Sequence, residues 1–112
     1  MNTQGWIGVD LDGTLAHYEK WDGQIGVPIV PMLDRVKAWI AAGIEVRIFT
    51  ARVSGEPDAA VEQRERIAAW CIEHLGSELP ITCRKDYAMV ELWDDRAVQI
   101  VPNTGARADG LA

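Results

Sequence analysis

Trp6-Ile7-Gly8-Val9-Asp10-Leu11-Asp12-Gly13-Thr14 is the stretch on which the reading of this chain turns. A short apolar run, Trp6 to Val9, ends at one carboxylate. A second follows two positions later, and Gly13 then permits a tight backbone turn. In open α/β sheets ligands bind outside the carboxyl ends of the strands, so acids placed there invite a search for partners at other strand ends.

Outward from this stretch, strand-like and helix-like segments alternate. Ile44-Glu45-Val46-Arg47-Ile48-Phe49 alternates strictly and ends at Thr50. Ile81-Thr82-Cys83 is a short third strand, Met89 to Trp93 a fourth that ends at Asp94-Asp95, and Ala97 to Val101 a fifth at an edge. A helix from about Pro31 to Ala42 carries Leu33, Val36, Trp39 and Ile40 on an apolar face and stops at Gly43. A longer one from Pro57 to Leu75 carries Val61, Ala68, Ile72 and Leu75 on one side, pairs Glu62 with Arg66, and ends at Gly76. The alternation predicts an α/β domain with a mainly parallel, five-stranded sheet over residues 1–101. Asp22-Gly23 is a tight-turn dipeptide, which predicts a small hairpin over Tyr18 to Gly26 and a flap over about 15–28. From Pro102 the chain is rich in Gly, Ala and polar residues and reads as a loose tail over 102–112.

The 112 residues suffice for one core and not two. No apolar run is long enough to span a bilayer and the N-terminus lacks a signal pattern, so no membrane partner and a cytoplasmic location are expected. Cys71 and Cys83 lie in apolar stretches without metal-ligand spacing and read as reduced thiols. The net charge of −6 works against non-specific attraction to a nucleic-acid backbone. It leaves room for a phosphorylated substrate, because a metal ion and a few local cations can reverse the field at one site. Most of the five tryptophans are read as packing residues; for Trp21 on the flap, core or dimer packing is favoured over stacking on a base.

Asp10, Thr50 and Asp94-Asp95 each follow directly on a strand, and Lys85 follows the short third one. Together they supply acids, a hydroxyl and an ammonium, the inventory for phosphoryl transfer with a hard cation. Each has a plainer reading alone: Asp10-Leu11-Asp12 and Asp94-Asp95 as turns, Thr50 as a cap, Lys85 as a surface charge. Their joint arrival in order is what favours chemistry. His17 and His74 have no partners at catalytic spacing, and Arg52, Arg84 and Arg96 flank the motifs as surface charges. Arg52 and Arg84 are within reach of a substrate's distal groups.

Asp10-Leu11-Asp12-Gly13-Thr14 resembles the first motif of the haloacid dehalogenase (HAD) superfamily, most of whose members are phosphatases. Thr50 resembles its second motif, Lys85 its third and Asp94-Asp95 its acidic fourth, in order along residues 6–101. The resemblance implies a three-layer Rossmann-like, HAD-like fold. It also implies a magnesium-dependent phosphomonoester hydrolase with an aspartyl-phosphate on Asp10 and proton transfer by Asp12. Thr50 and neighbouring backbone groups would hold the phosphoryl oxygens, and Lys85 would offset charge between nucleophile and substrate. Gly13, Thr14, Ala51 and Arg52 would border the substrate. Mg2+ would be held by Asp10, the Asp12 main-chain carbonyl and the Asp94-Asp95 pair, with Asp95 as direct ligand and Asp94 as its support.

The spacings leave no room for a cap domain, so the resemblance implies a capless member with an open site. Such a site takes a bulky substrate or is covered by a second copy of the chain. The acidic balance ranks a small phosphometabolite, a nucleotide or sugar phosphate, above a phosphorylated polynucleotide end or a protein. Thr50-Ala51-Arg52 with Asp94-Asp95-Arg96 is also reminiscent of polynucleotide 3′-phosphatases. A signalling receiver domain fails on the order of its motifs. A silent phosphate-binding module is the non-enzyme alternative.

Overall fold

The computed structural model describes residues 5–112. In chain order it contains β1 (Trp6–Asp10), α1 (Val30–Ala41), β2 (Glu45–Phe49), a short 3-10 turn (Ala51–Val53), α2 (Pro57–Leu75), β3 (Ile81–Thr82) and β4 (Met89–Trp93). The sheet order is β3-β2-β1-β4 and every pairing is parallel. β1, the strand bearing the acidic motif, therefore lies inside the sheet with β2 and β4 on either side.

Period-two side-chain direction explains the core. Ile7 and Val9 in β1 pair with Val46 and Ile48 in β2, so all four point to one side of the sheet. There they join Met32, Leu33 and Val36 of α1 and Ile67, Trp70 and Cys71 of α2 in one buried cluster. Full burial of such aliphatic side chains is worth about 1.5–3 kcal/mol each. On the opposite side Trp6 stacks against Phe49, with ring centroids 6.5 Å apart, and Arg47 lies 4.5 Å from the Trp6 ring. Gly8 faces that side too: a Cβ there would come within 3.1 Å of the Trp6 ring and 3.2 Å of Leu92.

Several expectations need correction. The sheet has four strands, not five. Ala97 to Val101 adds no ladder to β4. Instead the Val101 N–H donates to the Ala106 carbonyl and the Ala108 N–H to the Gln99 carbonyl, each at 2.8 Å. Only three residues separate β4 from Ala97, too few for the crossover that a parallel neighbour needs, whereas pairing with the next few residues closes a short local loop. The three-layer arrangement fails as well, because both helices bury their apolar residues in the same cluster on one side of the sheet.

The flap, finally, is a loop rather than a hairpin. An antiparallel bridge between Ala16 and Pro28 closes its base, with His17 N–H to Val27 carbonyl and Ile29 N–H to Leu15 carbonyl, each 2.8 Å. Asp22-Gly23 does turn, with Asp22 Oδ1 accepting from the Gln24 N–H at 2.9 Å. No ladder forms above the base because carbonyls that would build it are taken from outside. Arg52 donates to the Gln24 carbonyl and Trp70 Nε1 to the Gly26 carbonyl.

The predicted face of α2 is turned by one residue. Ile67, Trp70 and Cys71 are buried, while Val61 and Ile72 are exposed. Both stripes fit a helical period, and the one carrying the large indole of Trp70 takes the core. Cys71 and Cys83 are free thiols. Among the described residues no helix is long and apolar enough to cross a membrane.

Candidate active site

Parallel pairing of β2, β1 and β4 brings their carboxyl ends to one edge, and with them Thr50, Asp10 and Asp94-Asp95. A cavity of about 590 Å3 opens there, lined by these residues together with Asp12, Ala51 and Arg52. The flap contributes Tyr18 and Trp21 to its wall, and Arg96 follows the acidic pair. Asp10, Asp94 and Asp95 each offer a carboxylate oxygen, all lying within 4.8 Å of one another.

The loop after β1 is built to bring Asp95 close. The Leu11 carbonyl accepts from the N–H groups of Leu15 at 3.0 Å and Ala16 at 2.8 Å, which curls the chain over itself. Gly13 sits in that curl at φ +88°, and a Cβ on it would lie 2.5 Å from Asp95 Oδ2. Only glycine suits both the backbone and the space. The Thr14 hydroxyl lies 3.2 Å from Asp95 Oδ1 and 3.5 Å from Asp10 Oδ2. Its single proton serves one carboxylate at a time.

Crowding acids has an electrostatic consequence. Burial first, then the hydrogen bond with Asp95 and the charges of Asp94 and Asp95, push the Asp10 carboxyl up to about 7. Asp95 moves down from its ordinary value, chiefly because its carboxylate accepts that same hydrogen bond. The pair thus holds a proton on Asp10 that a cation would displace.

Arg52 organises the other half of the cavity. Its Nε donates to Asp12 Oδ2 and its Nη2 to Asp12 Oδ1, both at 2.8 Å, while Nη1 reaches Gln63 Oε1 at 3.0 Å and Nη2 the Gln24 carbonyl at 2.7 Å. Its side chain is 3% exposed. The planar guanidinium also lies under Trp21, 4.7 Å from the ring centroid. One arginine thereby ties the β1 loop, the flap and α2 together.

Thr50 is buried and its hydroxyl accepts from the Arg52 N–H at 3.1 Å, so it caps the 3-10 turn that launches Arg52 as well as bordering the cavity. Gly13 and Thr14 act on the carboxylates from behind. Lys85 is exposed and is not among the residues lining the cavity; the cations that line it are Arg52 and Arg96. The Asp12 carboxylate faces Arg52 and stands outside the Asp10, Asp94 and Asp95 group. Gln63, the Gln24 carbonyl and Tyr18 were not singled out from sequence, and their types and spacings carry no signal that distinguishes them from surface residues.

Three carboxylates with converging oxygens could hold a hard divalent cation. Comparison with protein-family models, curated proteins and solved structures finds no match.

Proposed function

We propose that this chain is a magnesium-dependent phosphomonoester hydrolase of the haloacid dehalogenase kind, acting through an aspartyl-phosphate on Asp10. The observation that carries the reading is the meeting of Asp10, Asp94 and Asp95 at the end of β1 with Asp12 beside them in the same cavity. A nucleophile, a cation cage and an acid/base group are the minimum for this chemistry.

Asp10, Asp94 and Asp95 would hold Mg2+, which supplies positive charge to draw phosphoryl oxygens toward an otherwise acidic site. An Asp10 carboxylate oxygen attacks phosphorus as the bond from phosphorus to the leaving alcohol breaks, and Asp12 gives that alcohol its proton. Water then attacks the aspartyl-phosphate, Asp12 takes the water's proton, and inorganic phosphate leaves with Asp10 restored.

Arg52 takes the counter-charge role first expected of Lys85, since it lines the cavity. A substrate phosphate could accept from the same guanidinium that holds both Asp12 oxygens. Residues of the flap line the cavity, giving a capless chain a partial cover of its own. A small phosphomonoester suits a cavity of this size and acidity better than a polymer does.

The test is phosphate release from p-nitrophenyl phosphate with and without MgCl2, by the wild type and by Asp10→Asn. Metal-dependent release by the wild type alone is expected. Release that ignores the metal, or that survives Asp10→Asn at full rate, sinks the reading.

A further inference from the structure

We propose that Trp21 and Tyr18 form a stacking platform for a heteroaromatic ring, so that the phosphomonoester taken by this site is a nucleoside monophosphate. For the reacting end of the ligand this rests on the phosphatase reading above. The ring-binding end rests on separate observations.

Trp21 is 59% exposed, although large aromatic side chains gain much from burial. The other four tryptophans are all used in packing: Trp6 and Trp70 are buried, and Trp39 meets Trp93 edge-on at 5.2 Å. Trp21 has no aromatic partner among the described residues. It is nevertheless held in place. One face of its ring rests on the Arg52 guanidinium, which is itself pinned by Asp12, Gln63 and the Gln24 carbonyl. An aromatic ring stacked on a fixed cation, with most of its surface open and lining the cavity, is preorganised for a second flat group. Tyr18, also exposed, lines the same cavity from the same loop.

The cavity volume, about 590 Å3, falls within the roughly 300–1,000 Å3 of small-molecule sites and exceeds the need of a bare phosphate. A mononucleotide joins a phosphate for the carboxylate end to a base for the aromatic end. A polynucleotide would need a basic groove tracking its backbone. Here the lining cations are two arginines, one already paired with Asp12, in a chain of net charge −6.

The experiment compares adenosine 5′-monophosphate with ribose 5-phosphate, which lacks only the base. Binding is measured calorimetrically on the wild type in MgCl2 with the methylene-phosphonate analogues of both compounds, which cannot release phosphate, and turnover with the phosphates themselves. Adenosine 5′-monophosphate should bind at least about fivefold more tightly, as base stacking on an aromatic side chain implies. Trp21→Ala should abolish that advantage and leave ribose 5-phosphate binding unchanged, while Trp21→Phe should restore much of it. Equal binding of the two ligands, no binding of the nucleotide, or a Trp21→Ala loss shared by both overturns the proposal. The two readings fail separately. Equal kcat/KM on both compounds would remove the base platform and keep the phosphatase. Ring-dependent binding without phosphate release would keep the platform and remove the phosphatase.

Discussion

Arg52 and Asp12 face each other through two parallel hydrogen bonds of 2.8 Å, Nε to Oδ2 and Nη2 to Oδ1, across forty positions of sequence. A fork-to-fork pair of this kind fixes orientation as well as charge. Because the guanidinium also holds Gln63 and the flap, the Asp12 carboxylate, the cavity wall and α2 share one anchor.

Breaking that anchor should be costly. Removing one partner of a buried ion pair typically costs about 3–5 kcal/mol, because the other charge is left without compensation. Arg52→Ala is expected below that range but above about 1 kcal/mol by urea denaturation, because the Asp12 side chain it leaves is 21% exposed and can be solvated. Arg52→Lys should recover part of the stability, because it keeps the charge and loses the fork. The exposed Arg66–Glu62 pair on α2 is the control, and Arg66→Ala should change stability by less than about 1 kcal/mol. An Arg52→Ala variant as stable as Arg66→Ala would show that the pair anchors nothing.

Gly13 and Gly23 separate backbone strain from crowding. Both have positive φ, +88° and +80°, but a Cβ at Gly13 would strike Asp95 while one at Gly23 would meet nothing within 4 Å. Gly23→Ala should therefore cost about 1 kcal/mol from the backbone alone. Gly13→Ala should cost clearly more, and the difference between their melting curves measures the close approach of Asp95. Equal losses would mean that Asp95 moves aside freely.

The sheet edge was legible in the sequence because its information is local. Met89–Trp93 and Pro57–Leu75 have the predicted boundaries, since alternation, a proline at the first turn and Gly76 in the left-handed conformation are all written within a few residues. Ala97 to Val101 had the same local look and failed, because a strand also needs an edge to join and nothing local says whether it finds one. Arg52 was harder still. Its position depends on Gln63, Gln24 and Trp21, three residues far apart in the chain that meet only once α2 and the flap are in place. Lys85 shows the converse: it follows β3 in the chain, yet its side chain does not line the cavity.

The raised Asp10 carboxyl makes stability pH-dependent with a definite sign. Its ordinary value of 3.8 applies to the unfolded chain, and in the metal-free fold it stands at about 7. Between these values the fold binds a proton that the unfolded chain has released, so this contribution to stability falls as pH rises and levels off above about 7. The urea midpoint in EDTA should accordingly drop from pH 5 to pH 8. Asp10→Asn, which cannot ionise, should show a smaller drop over the same window. A wild-type profile that tracks Asp10→Asn would place the proton elsewhere.

The same proton sets how magnesium should act. A cation among Asp10, Asp94 and Asp95 must displace it, so apparent affinity for Mg2+ should rise with pH through about 7 and flatten above. Binding to the folded state alone raises the melting temperature, so the gain from MgCl2 should be larger at pH 8 than at pH 6. Asp10→Asn removes a ligand charge and also the repulsion that a metal relieves. That variant should melt above the wild type in EDTA at pH 8, gain little from MgCl2, and release no phosphate. Such a result would mean that Asp10 costs the empty fold stability for the sake of its chemistry. An Asp10→Asn protein that melts lower in EDTA and gains as much from MgCl2 as the wild type would assign the cation to other residues.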